Sequence, residues 1–416
     1  LRRDPRPGPA HRRESEGHDG GEEASREFTS RFIRRSGMYR HGARGHLNLY
    51  QPFLERALSL TRRGGRLGLV LPWGLASDDG AAGLRGWLVD CHGLDTIVGL
   101  DNARGLFPIH RAVRFLAAVI KKDGATQAVR ARFGVQTADE IERLPGRDDP
   151  LDTAYPVRLT PRLLTVTGGS RRRFPDGRRP DDLSLAGRLM QQFPALGSPD
   201  GWGARFGREL NVTDDRRLFS PSGLPVVEGK NLTPFTVDPS QARHHIARRD
   251  AERVLGGERI NRPRLAYRDV SGVGNRVSLV AAVVPAGVVT SHTLFCLRTT
   301  LPIEQQHFLA ALMNSFVLNA VVRLFMGQHV TTSLVEDLPA PVWAGSEQHV
   351  RIAALAARMA GPGATAQVEA ELQAAVSRLY GLDAGAFSRL FQGFPLVEPE
   401  LGQAVTSILR HPRVAL

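Results

Sequence analysis

From Asn48 to Lys121 the apolar residues switch repeatedly between helical spacing and unbroken runs, and that switching constrains the fold more than anything else in the chain. Leu49, Phe53, Leu54, Ala57, Leu58 and Leu60 recur at helical spacing until Gly64-Gly65 stops them. RLGLVLP (66–72) is then apolar without helical period and ends on a proline, as a buried strand does. A second helix is predicted over 80–91, with Leu84, Trp87, Leu88 and Cys91 on its inner side. Strands are predicted at Leu94–Leu100 and Ala112–Lys121. Helix, strand, helix, strand, strand is the expected tail of an open α/β sheet that closes on an antiparallel pair.

The flanking segments read differently. Residues 1–30 are Arg-, Glu-, Gly- and Pro-rich with few large apolar side chains, so a loop or disordered segment is expected there. The sheet-forming segment is placed at 31–125. Residues 126–183, polar and rich in Pro, Gly and Arg, read as a linker. A mixed α+β domain is predicted over 184–345, opening with a helix at Leu185–Phe193. In it, Pro285-Ala286-Gly287 between two apolar runs predicts a hairpin. Helices are expected at 303–314 and 316–326, and the closing segment 346–416 reads as helical, with amphipathic stretches near 347–360 and 366–380.

The charge balance narrows the partners. Lys+Arg number 55 against 42 Asp+Glu, a net of +13. Nearly all the cations are arginine, since Lys121, Lys122 and Lys230 are the only lysines. Genome composition can favour Arg over Lys, but it does not produce an excess over acids, so a polyanion such as nucleic acid is the expected partner. No run of 18 apolar residues and no charged-then-apolar leader is present, so neither membrane insertion nor secretion is expected. Cys91 and Cys296 are far apart and lack a CxxC partner, which fits a reducing cytoplasm and disfavours structural zinc.

Several chemistries are missing from the sequence. It has no P-loop, no G-x-G-x-x-G after a strand, no H-E-x-x-H and no G-x-S-x-G elbow. The histidines, among them His244, His245, His292 and His329, show no metal-ligand spacing. What stands out is an ordered set of words over residues 30–122: FIRRSGMYRHGARGHLNLYQPFLERALSLTRRGGRLGLVLP, a small helix, then GLFPIHRAVRFLAAVI. In combination these resemble the later motifs of the gamma-type amino-methyltransferases, the TaqI-like and Eco57I-like adenine-N6 enzymes of restriction-modification and phage defence.

The resemblance implies the rear half of a Rossmann-like methyltransferase sheet, with double-stranded DNA as partner and S-adenosyl-L-methionine as cofactor of the complete enzyme. It places Asn48, Leu49, Tyr50 and Phe53 along the cofactor pocket, with Phe53 against the cofactor's adenine. Phe107, followed by Pro108, matches the aromatic that stacks on the extruded target base. Extruding a base costs about a few kcal/mol, and stacking on an aromatic offsets about 1–3 kcal/mol of that. PVVEGKNLTPF, RPRLAYRDV and LAALMNSFVLNAVVRLF…GQHVTTSLVEDLPAPV resemble the specificity domain of the same enzymes. There Lys230, Asn231, Arg264, Tyr267, Arg268, Arg276 and His292 are the candidate DNA-contacting residues, by side-chain chemistry.

One departure bears on activity. Such enzymes carry an Asn/Asp-Pro-Pro-aromatic loop that accepts the hydrogens of the adenine amine, and this sequence contains no Pro-Pro dipeptide. The glycine-bearing cofactor loop is absent too. The expectation is therefore a fragment, inactive alone and with no catalytic residue of its own, whose N-terminal methyltransferase half is a separate partner. The alternative is a stand-alone DNA-specificity subunit without catalysis.

Overall fold

A computed structural model describes residues 24–42, 47–145, 154–270, 275–327 and 329–411. The chain divides into two compact units. The first comprises Leu1–Pro161 with Ser170–Arg173, and the second comprises Arg162–Gly169 with Phe174–Leu416. The fold is mixed α/β.

In the first unit the predicted helix forms at Tyr50–Leu60 and the strand after it at Arg66–Pro72 (β1). The helix Ala82–Cys91 leads to β2 (Gly93–Asp101), and β3 (Arg114–Lys121) follows. β3 lies between β1 and β2 and is antiparallel to both, so β1 and β2 run in the same direction with a helix in their crossover. Leu54, Leu58, Leu84, Leu88, Ile97, Leu116 and Ile120 make the core, each at most 1% exposed. Cys91, expected on the inner face, is exposed. Trp87 is half-buried instead, with its ring stacked 4.8 Å from that of His41.

Two segments depart from expectation. The chain is helical over 24–35, so the predicted loop does not extend through residue 30; residues 1–23 lie outside the described ones. Residues 129–135 and 157–159, read as linker, instead form β4 (Val129–Val135) and β5 (Val157–Leu159). They extend the sheet to β1-β3-β2-β4-β5, with β4 parallel to β2 and β5 antiparallel to β4. Val129, Ala131 and Val135 are buried while Arg130 and Arg132 alternate with them at the margin. That is the period of a half-buried strand. β1 is left as an edge: only Leu71 is buried along it, and Val70 is 57% exposed.

The second unit contains three small sheets. β6 (Phe206–Gly207), β12 (Arg264–Arg268), β13 (Ala281–Val284) and β15 (Leu294–Leu297) form an antiparallel sheet in the order β13-β12-β15-β6. β7 (Phe219–Ser220), β8 (Leu224–Val227), β11 (His244–Ile246) and β14 (Val289–Thr290) form a second in the order β14-β8-β11-β7. β9 (Leu232–Thr233) pairs with β10 (Thr236–Val237). The Pro285-Ala286-Gly287 turn is therefore no hairpin: β13 and β14, on either side of it, join different sheets. Gly287 supplies the positive φ (79°) of that crossing.

The helix Phe316–Phe325 is almost wholly buried, and the helix Ile303–Met313 is buried from Phe308 onward with its first turn exposed. Their amides satisfy the backbone of the neighbouring sheet. Gln306 Oε1 accepts from Leu265 N at 2.7 Å, and Asn314 both accepts from and donates to Ala281. Asn319 Oδ1 accepts from Ser278 N and Leu279 N. Buried backbone groups need such partners. Among the described residues no single helix is long and apolar enough to cross a membrane. The helix expected at Leu185–Phe193 spans Pro180–Gln192, and Glu347–Met359 and Ala366–Leu379 form as predicted, packed within this same unit.

Candidate functional site

Asn102, directly after β2, is 0% exposed and builds the loop that follows. Its Nδ2 group donates toward the carbonyls of Phe107 (3.1 Å), Ile109 (3.1 Å) and His110 (3.3 Å), and its Oδ1 accepts from Phe107 N at 2.8 Å. Gly105, at φ 77°, closes the turn in the left-handed region, which a side chain would strain. So held, the loop presents an apolar tip to solvent: Phe107 is 41% and Ile109 49% exposed, and Pro108 is exposed between them. One side of the Phe107 ring stays supported, edge-on to Phe115 at 4.8 Å and 86°. Phe115 pairs with both Pro72 and Leu100, so the loop stands at the carboxyl ends of β1 and β2. Ligands of open α/β sheets bind at that end.

The residues expected along the cofactor divide. Leu49 (63% exposed) and Phe53 (59%) lie four apart and form an apolar stripe at the surface of their helix. Asn48 is exposed, and its carbonyl accepts from Gln51 N. Tyr50 is a correction: it is buried, and burial pushes its phenol up to about 12. It packs inward toward Gly74 and cannot line a pocket on the Leu49–Phe53 side.

The expected DNA-contacting residues divide as well. Tyr267 is 0% exposed, with its ring against Phe206 and Phe295, and is a core residue. Arg264 is buried in a two-pronged pair with Glu209 (2.7 and 2.6 Å) and donates to Val288 O. Burial alone would lower the Arg264 guanidinium, but the hydrogen bonds and charge of Glu209 hold it above its ordinary value. Asn231 is buried and closes its own turn, accepting from Glu228 N and donating to Gln241 O. Arg276 ties Glu369 and Glu398 together at 3.0 and 3.2 Å. These four are structural rather than available to DNA.

Lys230, Arg268 and His292 remain at the surface, and the fold gathers them. A Cβ on Gly229, the neighbour of Lys230, would sit 3.1 Å from Arg268 Cγ, and Gly229 N donates to the hydroxyl of Thr293, the neighbour of His292. Two residues that sequence reasoning passed over meet at Asp269, directly after β12. Arg208 pairs with the buried Asp269 at 2.8 Å and lies over the Phe295 ring at 4.8 Å. His329 meets the other Asp269 oxygen at 3.2 Å. Arg208 directly follows the two-residue edge strand β6, and nothing local distinguishes it from the other arginines. Arg208 over Phe295 is thus a cation with an aromatic beneath it, suited to phosphate and base contacts, while Arg268 leaves its strand on the opposite face from Phe295 and Lys230 is paired with Glu228 at 2.6 Å. Among the described residues no cluster could hold a metal.

No family model and no curated protein matches the chain. Among solved structures, the modification subunit of a putative type I restriction enzyme from Vibrio vulnificus YJ016 is similar at 26% identity, over 20% of this chain and 18% of that one (TM-score 0.18). The type IIL restriction-modification enzyme MmeI, solved with DNA, is similar at 10% identity over 85% of this chain and 52% of its own (TM-score 0.42). A nuclease-deletion mutant of the type ISP enzyme LlaGI, solved with a DNA substrate mimic, is similar at 12% identity over 79% and 33% (TM-score 0.44). The chain spans about half or less of the length of each.

Proposed function

We propose that this chain is the rear portion of an S-adenosyl-L-methionine-dependent DNA adenine-N6 methyltransferase of a restriction-modification or phage-defence system. On this reading the first unit supplies part of a Rossmann-like catalytic sheet and the second chooses the DNA. The observation that carries it is the loop braced by Asn102, which holds Phe107 and Pro108 half in water at the carboxyl ends of two co-directional strands. Beside it β1 is an open, apolar edge, where a larger sheet would continue.

The work of these residues is positional. An adenine swung out of the duplex loses its stacking, and Phe107, flat and supported from behind by Phe115, offers a replacement surface. Leu49 and Phe53 fit one apolar wall for the cofactor's adenine ring. S-adenosyl-L-methionine, when bound, supplies the methyl group for transfer to the adenine amine. The acceptor groups that orient the amine are not among the 416 residues, which contain no Pro-Pro dipeptide, so methylation requires them from a partner half. Lys230, Arg268, His292, Arg208 and His329 would meet the duplex.

The test is a salt-series gel shift of the full chain on a mixed-sequence duplex pool, run beside ultraviolet cross-linking of radiolabelled S-adenosyl-L-methionine. Affinity falling steeply with salt, with weak or no cross-linking by this chain alone, is the expected outcome. Absence of salt-sensitive duplex binding refutes the proposal. Tight cofactor capture by the chain alone refutes the split of the site between two halves.

A further inference from the structure

The second unit holds a basic cavity that the reading above does not use. It has a volume of about 180 Å³ and lies where the segment around Arg259 and Arg262 approaches the start of the helix Ile303–Met313. Arg259, Arg262, Arg264 and Arg298 line it together with Thr300 and Gln306, and no carboxylate does. Two of the four cations are already compensated: Arg264 by Glu209, and Arg262 by Glu258 at 3.1 Å. Arg259 and Arg298 have no carboxylate partner among the described residues. Arg298 and Arg264 each keep one terminal guanidinium nitrogen, Nη1, buried and without a hydrogen-bond partner.

This arrangement is costly as it stands. A buried charged N–H without an acceptor forfeits its hydration. The Arg298 guanidinium is pushed down first by burial and then by the neighbouring charge of Arg259. The helix starting at Ile303 adds the positive end of its dipole at the same place, and its N-cap Pro302 supplies no side-chain cap. Gln306 cannot serve as a neutralising partner, since its amide is fully engaged with Leu265 N, Pro263 O and Leu301 O. One ligand chemistry relieves all of these features: a compact oxyanion with several acceptor atoms. Planar guanidinium forks match phosphate geometry. At 180 Å³ the cavity is smaller than the roughly 300 Å³ at which sites for whole drug-sized molecules begin, so it suits a phosphate group and not a nucleoside.

We propose that the Arg259–Arg298 cavity is a phosphate-binding site, filled by a backbone phosphate of a duplex or by free phosphate. The duplex source rests on the DNA-binding reading above; the phosphate chemistry does not.

The experiment uses the full chain, the double variant R259Q/R298Q and, because Arg298 also donates to Arg208 O, the single variant R259Q as a fold-sparing version. R358Q, an exposed change elsewhere, is the charge-matched control for R259Q. Thermal melts in inorganic phosphate, against chloride at equal ionic strength, read the free-ion arm. The slope of log affinity against log salt on a duplex pool reads the nucleic-acid arm. A phosphate-induced rise in melting temperature that is present in wild type and R358Q, but lost in R259Q and the double variant, establishes the site. A concurrent fall in the duplex slope by about 0.9 in the same variants assigns the occupant to the DNA backbone. An unchanged slope assigns it to free phosphate. A phosphate response that is absent in wild type, or that survives in both variants, overturns the proposal even if duplex binding is intact. If wild type binds no duplex while the phosphate response is lost in the variants, the DNA reading fails and the cavity stands.

Discussion

Replacing Asn102 with Ala tests whether the aromatic loop is held by one buried amide. Nδ2 has two hydrogens to share among three carbonyls at 3.1–3.3 Å, and Oδ1 takes a third bond from Phe107 N at 2.8 Å. Three bonds at a net of about 0.5–1.5 kcal/mol each bracket the loss at roughly 1.5–4.5 kcal/mol. The freed loop carbonyls are near water and rehydrate, so about 2–3 kcal/mol is expected. At 1.4 kcal/mol per decade this is roughly a 30- to 150-fold faster exchange of the Phe107 amide. If the opening is coupled to the unit as a whole, its melting temperature falls by about 4–12 °C. Hydrogen exchange resolved to single amides measures the first, with Leu116 and Ile120 as core references, and a thermal melt measures the second. In the companion variant Asn102→Asp the acceptor for Phe107 N stays but a carboxylate faces three carbonyls, so the loop is released at least as fully. Phe107 exchange within three-fold of wild type in Asn102→Ala would refute the reasoning, because the loop would then be held by something else.

Four further outcomes follow from the same geometry. Phe107→Ala lowers stability by less than about 1.5 kcal/mol, since the ring is 41% exposed, yet abolishes the fluorescence response of a 2-aminopurine placed opposite an abasic site in a bound duplex. Arg268→Ala and Lys230→Ala each weaken duplex binding across all sequences and lower the salt slope by about 0.9, measured by gel shift, without changing the melt. Glu209→Gln leaves the buried Arg264 charge uncompensated and costs about 3–5 kcal/mol at pH 7 in urea melts. Burial would raise the Glu209 carboxyl, but Arg264 and Thr290 hold it below the usual range, so its contribution is complete above the unfolded value of about 4.3 and is lost as pH falls through the lower folded value. The gap between wild type and Glu209→Gln therefore begins to narrow only below the unfolded value and closes once the pH has fallen through the lower folded value. Val70→Lys, on the open edge of β1, leaves the thermal melt unchanged, because the side chain it replaces is 57% exposed.

Much of the architecture was legible because its signal is local. The Leu54, Leu58 stripe, the RLGLVLP run and the two buried helices near 303–325 announce themselves by period and composition. β4 was missed although Val129, Ala131, Phe133 and Val135 alternate correctly, because Arg130, Arg132 and Gly134 make the segment look like a loop. β5, at three residues, is too short to carry a period. The site residues were less legible, for a non-local reason. Arg264 and Arg268 lie on the same strand, four residues apart, with their side chains on one face. One is buried against Glu209, 55 residues earlier, and the other reaches the surface beside Gly229. No property of RPRLAYRDV separates them; the partner's position does.

The same asymmetry decides how Phe107 is to be understood. An aromatic in a loop is ordinarily explained by the core it anchors, and Phe115 does give this one a partial anchor. A core aromatic, however, would turn inward, and its loop would need no buried amide to hold it. Here Asn102 commits both ends of its side chain, in a wholly buried position, to fixing the backbone on either side of a Phe-Pro-Ile tip that stays exposed. Burial of that tip gives the folded chain little apolar stabilisation in exchange for the rigidity. The rigidity is instead useful to whatever meets the tip: a preformed aromatic face gives a flipped base its stacking surface without the entropy cost of ordering a loop first. Loosening the loop while keeping the ring, as Asn102→Ala does, should therefore impair base capture nearly as much as removing the ring. If Asn102→Ala retains the full 2-aminopurine response of wild type, presentation is not what the amide is for.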